Sequence, residues 1–242
     1  FKMNPTGTSL IYCTYIGVGG ANMALPAGIA VNAAGEAFIT GNTDGAFPTT
    51  AGAYDVTYNA GGGDAFISKL NTTGTALIYS TYLGGTGWDG GNSIAVNAGG
   101  EAFVTGVTYS SNFPALAGSY DVTFNGAAGD YDGFVCRLNA AGSARVYCTF
   151  LGGNGGDDAN DIAVNSVDEA FITGSTLSTN FPALAGSYDV AFNPPGNFDA
   201  FVCKLNAAGS ARVYCTFLGG NGINENANSI ALLGDEAYIT GI

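Results

Sequence analysis

Apolar and polar side chains alternate over short stretches of this chain. In DAFVCKLN (Asp199–Asn206), Phe201, Cys203 and Leu205 share one face, and Ala200, Val202 and Lys204 the other. A period of two over such a length predicts a β-strand. Three further stretches belong with it: SIAVN, EAFVTG and ARVYCTFLGG. A Gly/Asn/Asp turn joins SIAVN to EAFVTG, and AAGS joins the last two, so both joints predict hairpins. The four stretches are the first, second, third and fourth strands of one antiparallel unit.

That unit recurs. Asp64, Asp132 and Asp199 open equivalent third strands, 68 and 67 residues apart. The first and second strands recur as GIAVNAAGEAFITG, SIAVNAGGEAFVTG, DIAVNSVDEAFITG and SIALLGDEAYITG. Between second and third strands lie AFPTTAGAYDVTYN, NFPALAGSYDVTFN and NFPALAGSYDVAFN. Four antiparallel strands per repeat, arranged radially, is the pattern of a β-propeller blade. The chain opens with FKMN, which aligns with the end of a third strand, and closes with YITGI, the end of a second strand. These two part-units are read as halves of one blade, whose pairing would close a ring and remove its open edges. The expected fold is therefore an all-β, four-bladed β-propeller in a single domain, 1–242. Its blades span about 27–85, 93–153, 161–220, and 229–242 plus 1–17.

The strings DAFVCKLNAAGSARVYCTFLGG, SIAVN, EAFVTG and NFP resemble the bacterial SBBP-type β-propeller repeat, over essentially the whole chain. The resemblance implies secreted or cell-surface bacterial proteins, often multi-modular and mostly without an assigned activity. Its label implies seven blades, where the count here is four. It carries over no catalytic residues.

Each of two third–fourth hairpins holds a cysteine pair, Cys136 with Cys148 and Cys203 with Cys215, where the preceding copy has Ser68 and Ser80. Opposed hairpin residues about 4.5 Å apart can be bridged, so two disulfides are expected. The other reading is four buried thiols. Cys13 aligns with Cys148 but faces Phe1, so it is expected to be free. Disulfides would place the chain in an oxidising, extracellular compartment. Basic residues all fall in third–fourth hairpins, and each second strand opens with a glutamate. Antiparallel pairing sets Glu36 by Lys69, Glu101 by Arg137 and Glu169 by Lys204, and ring closure would set Glu236 by Lys2.

Composition narrows the function. Charged residues are only 10%, and the net charge is −13. That charge repels nucleic acid and anionic membranes, so neither is an expected partner. No apolar run approaches the ~18 residues of a membrane span. With no histidine, zinc chemistry and a Ser-His-Asp triad are excluded.

Candidate binding residues lie in the loops that feed each first strand, at the mouth of the expected channel. Trp88, Asp89, Asn92, Asn224 and Glu225 are the candidate ligand contacts. Trp88 reads either as a stacking surface for a sugar or as packing for its own loop. Asp157, Asp158, Asn160 and Asp161 supply hard oxygens in a glycine-rich stretch, which suits Ca2+. The same residues also read as turn formers. The repeated Phe-Pro (Phe47, Phe113, Phe181) and Tyr-Asp (Tyr54, Tyr120, Tyr188) read as scaffold. Near-equivalent repeats leave few residues unique to one place, so an enzyme is not expected. The expected function is a structural or interaction module presenting one loop face to a glycan, a protein or copies of itself. A calcium-dependent lectin-like propeller and a carboxylate-based glycosidase are the alternatives.

Overall fold

Every alternating stretch forms a strand in the computed structural model, which describes residues 1–18, 23–193, 197–220, 222 and 224–242. A short hairpin, β1 (Lys2–Met3) and β2 (Leu10–Tyr12), comes first. Three four-stranded antiparallel sheets follow. The first holds β3 (Ala24–Val31), β4 (Ala37–Thr43), β5 (Asp64–Leu70) and β6 (Leu77–Leu83). The second holds β7 (Asp89–Val96), β8 (Ala102–Thr108), β9 (Asp132–Leu138) and β10 (Arg145–Leu151). The third holds β11 (Asp157–Val164), β12 (Ala170–Thr176), β13 (Asp199–Leu205) and β14 (Arg212–Phe217). A last hairpin joins β15 (Ala227–Leu233) to β16 (Glu236–Gly241).

The alternation decides what each face buries. Phe201, Cys203 and Leu205 of β13 enter a core shared with Phe103, Val135 and Tyr147 of the second sheet. Val202, on the other face, joins Ile230 of β15. Phe38 and Ile67 of the first sheet likewise share a core with Ile94, Phe134 and Cys136 of the second. The sheets thus stack face to face. Tyr79 lies over Gly142 of the next sheet, and Tyr147 over Gly209; a methyl group on either glycine would meet the ring at 2.3 or 2.2 Å. Tyr12 of β2 lies over Gly74 in the same way.

Register bears out the paired cysteines. Cys136 stands opposite Cys148, and Cys203 opposite Cys215; both pairs are bonded, with Cα atoms 4.0 Å apart. Ser68 and Ser80 occupy the same register and share a 2.8 Å hydrogen bond. Cys13 is free and exposed. The ion pairs also form: Lys69 with Glu36 at 2.8 Å, Lys204 with Glu169 at 2.6 Å, and Arg137 with Glu101. Asp168 is a second partner of Arg137, at 2.6 Å. Each of these cations also sits over the phenylalanine opposite it, Phe38, Phe171 and Phe103 respectively.

The expected pairing of the two terminal hairpins is not present. Among the described residues, β1 pairs with β2 alone and β15 with β16 alone, and Lys2 forms no ion pair with Glu236. The two hairpins pack on opposite ends of the stack. Tyr12 and Thr14 bind the first sheet at Gly74, while Ile230 and Leu232 cover the third. Each hairpin repeats the contact its equivalents make between full sheets.

Gly142 has φ +65° and lies against the Tyr79 ring, whereas Gly118 has φ +92° with open space beyond it. Gly142→Ala combines backbone strain with a steric clash and should cost about 2–4 kcal/mol in urea unfolding; Gly118→Ala carries strain alone and should cost about 1 kcal/mol. Equal costs would show that the tyrosine contact does not matter.

Candidate functional site

The first strand of each unit is longer than the sequence pattern predicts. β7 begins at Asp89 and β11 at Asp157, so residues expected in loops lie in strands. Each first strand also carries a bulge, at Asn92 in β7 and Asn160 in β11. A bulge re-aims its side chain, and here both amides turn to the neighbouring sheet. Asn92 Nδ2 donates to the Ala159 carbonyl at 3.0 Å, and Asn160 Nδ2 to Asn226 Oδ1 and the Ala227 carbonyl. Asp161 ties three first strands together. It accepts from the hydroxyls of Ser93 and Ser229 and from the Ile230 amide. Asn224 is exposed with φ 58°, a turn-forming conformation, and Glu225 accepts from the Gly220 amide at 2.6 Å.

The four candidate calcium residues therefore point to different neighbours along β11. Asp157 goes to Thr176 and Ser178, Asp158 to Tyr131, Asn160 to β15, and Asp161 to Ser93 and Ser229. Among the described residues, no three acidic or cysteine side chains converge as a metal cluster.

Two other groupings stand out. The first is aromatic. Trp88 sits beside the backbone of Gly63 and Gly90, with its ring edge-on to Tyr109 at 6.0 Å between centroids. Tyr109 meets Tyr131 at 5.0 Å, and the Tyr131 hydroxyl donates to Asp158 Oδ2 at 3.2 Å. Trp88 and Tyr131 are only partly buried, and Tyr109 is 42% exposed. Asp44 and Leu177 stand at the positions equivalent to Tyr109, so the trio occurs once. Burial pushes the Asp158 carboxyl above its ordinary value, and the Tyr131 hydroxyl opposes that. Burial also raises the Tyr109 and Tyr131 phenols, which stay neutral hydrogen-bonding groups at neutral pH.

The second grouping is carboxylate. Asp64 opens β5 and Asp89 opens β7, and both are fully buried. Asp132 and Asp157 repeat the arrangement one sheet on. Asp89 accepts from the Thr108 and Ser110 hydroxyls and the Gly85 amide; Asp157 accepts from Thr176, Ser178 and Gly153. Among the described residues, Asp64 and Asp132 each accept one bond, at Oδ2, from the amides of Asn59 and Asn125. Their Oδ1 atoms are buried without a partner. Burial raises Asp64 and Asp89 to about 6, and Asp132 and Asp157 to about 7. Asp89 and Asp157 are held as carboxylates by three donors each, so any retained proton belongs on Asp64 and Asp132.

Sequence reasoning selected Trp88, Asp89, Asp157 and Asp158 but missed their partners Tyr109, Tyr131, Asp64 and Asp132. The aspartates carried a signal: a carboxylate opening an otherwise buried strand in every full copy. The tyrosines carried one too: Tyr109 follows β8 and Tyr131 precedes β9, and the antiparallel Thr108–Asp132 register sets them opposite each other at the two ends of one connection. No protein-family model matches this chain, and no curated protein matches it.

The raised carboxyls set a pH dependence. Unfolded, Asp64 and Asp132 lose their protons near pH 4; folded, they keep them to about 6 and about 7. In that window the folded state binds more protons, so stability falls as pH rises. In buffer without divalent cations, the urea midpoint should be higher at pH 5 than at pH 8. Asp64→Asn with Asp132→Asn should flatten the difference; an unchanged profile would refute the assignment.

Proposed function

We propose that this chain is a secreted, non-catalytic interaction module of the SBBP-like β-propeller type, whose loop face binds a glycan or protein partner. The observation that carries this reading is the Trp88–Tyr109–Tyr131 trio beside Asp158. Exposed aromatic faces next to a hydrogen-bonding carboxylate suit a sugar ring, which offers a C–H face and a rim of hydroxyls. The trio gathers the segment entering the second sheet and both ends of that sheet's β8–β9 connection, on a scaffold of paired strands.

Other features support the remaining parts. Sheets stacked face to face with their first strands side by side fit the radial arrangement of blades. Two disulfides fit an oxidising compartment. The paired carboxylates are fully buried, where a substrate does not reach them, and they recur at equivalent places. Both facts favour binding over glycoside hydrolysis, which needs an acid and a base flanking an accessible bond.

Trp88 is the chain's one tryptophan, so its fluorescence reports on this site. A glycan array followed by fluorescence titration of the hits should find ligands that shift Trp88 emission. Tyr109→Ala should weaken binding about two- to tenfold, in line with an aromatic contact worth ~0.5–1.5 kcal/mol, without lowering stability comparably. Binding that survives Tyr109→Ala and Trp88→Ala unchanged would remove this site from consideration.

A further inference from the structure

The buried carboxylate pairs play no part in the aromatic site, and their geometry is unusual. Within each pair, one carboxylate comes from the third strand of a sheet and the other from the first strand of the next. A methyl group on Gly84 would lie 2.7 Å from Asp64 Oδ1 and 2.8 Å from Asp89 Oδ2. One on Gly152 would lie 2.8 Å from Asp132 Oδ1 and 2.7 Å from Asp157 Oδ2. Two carboxylate oxygens from different sheets thus crowd the same glycine Cα in each junction, where any side chain would collide with both. In each case one of the two oxygens, Asp64 Oδ1 or Asp132 Oδ1, is buried with no donor. Two carboxylates held together out of water repel each other and lose solvation, unless something positive lies between them.

The third junction also sets two carboxylate oxygens, Asp199 Oδ1 and Glu225 Oε2, against one glycine, Gly219, but its hydrogen bonds differ. There Asp199 faces Glu225, and Asp199 Oδ1 already accepts from the Gly219 amide at 3.0 Å. Its partner acid is longer and turned to the Gly220 amide. No orphaned oxygen remains at Asp199.

We propose that the Asp64–Asp89 and Asp132–Asp157 pairs are two cation sites, each binding Ca2+ between consecutive sheets. The donors are all oxygen, with no nitrogen or sulfur, which selects a hard cation over zinc or copper. Two carboxylates with water completing the shell suit Ca2+, which accepts irregular coordination; Mg2+ demands a near-ideal octahedron. The ion would tie the third strand of one sheet to the first strand of the next. Asp158, Asn160 and Asp161 are not ligands of this site, since their polar atoms turn elsewhere.

The test uses the whole chain after treatment with a chelator. Calorimetric titration with CaCl2 at pH 8 should give two equivalents per chain and a raised melting temperature. Asp64→Asn and Asp132→Asn should each remove one equivalent, while Asp158→Asn keeps both. An Asp-to-Asn change keeps the shape and removes a buried charge, so these variants should fold. Tb3+ gives a second readout on the unmodified chain. Trp88 adjoins Asp89, so its excitation should sensitise Tb3+ emission that Ca2+ then displaces. No heat, no thermal shift and no sensitised emission at millimolar cation would overturn the proposal. So would full stoichiometry in the two Asn variants.

Discussion

Each sheet of this protein can bury its faces only against the sheets beside it. No helix is present among the described residues to cover a face, so the stacking of sheets is the hydrophobic core. One repeated side chain shows the constraint. The isoleucine of the first-strand motif is 5% exposed at Ile94, 4% at Ile162 and 7% at Ile230, each set against a preceding sheet. Ile29, in the same motif with no full sheet before it, is 65% exposed. Closely similar local sequence gives opposite burial, and the difference in neighbour accounts for it. Tyr54 and Tyr120 are partly covered by Arg145 and Arg212 of the following sheet, while Tyr188 is 90% exposed.

The polar features follow from this stacking. A β-bulge in each first strand turns Asn92 and Asn160 sideways, so their amides cross to the next sheet instead of facing solvent. The buried aspartates sit in the same seams, where loops from two sheets meet. The aromatic trio joins the segment before β7 to both ends of the β8–β9 connection, with Trp88 against Gly63 of the first sheet and Tyr131 bonded to Asp158 of the third. Disulfides stiffen the third–fourth hairpins of the second and third sheets, and the Ser68–Ser80 hydrogen bond takes that place in the first.

Much of the architecture was legible in the sequence. A period of two and a repeat of about 67 residues gave the strands and their antiparallel order. Paired substitution of Cys136 and Cys148 by serines in the preceding copy marked facing positions, and the Glu–Lys and Glu–Arg pairs followed from register. The terminal hairpins were misjudged because matching halves in sequence say nothing about whether the ends can reach each other. The site was less legible. Asn92, Asn160 and Asp161 look like loop ligands until the bulges show where they point. Tyr109 and Tyr131 follow from the register of β8 and β9, but their meeting with Trp88 depends on packing, as do the orphaned oxygens of Asp64 and Asp132.

Native-state hydrogen exchange tests the stacking constraint most directly. β3, β7 and β11 share a motif, and each has a single hydrogen-bonded partner strand. They differ in whether a full sheet covers the preceding face. The amides of β7 and β11 should exchange far more slowly than those of β3, close to the rate of global unfolding. Protection in β3 equal to that in β7 and β11 would show that strand pairing alone holds these sheets, and would contradict the account.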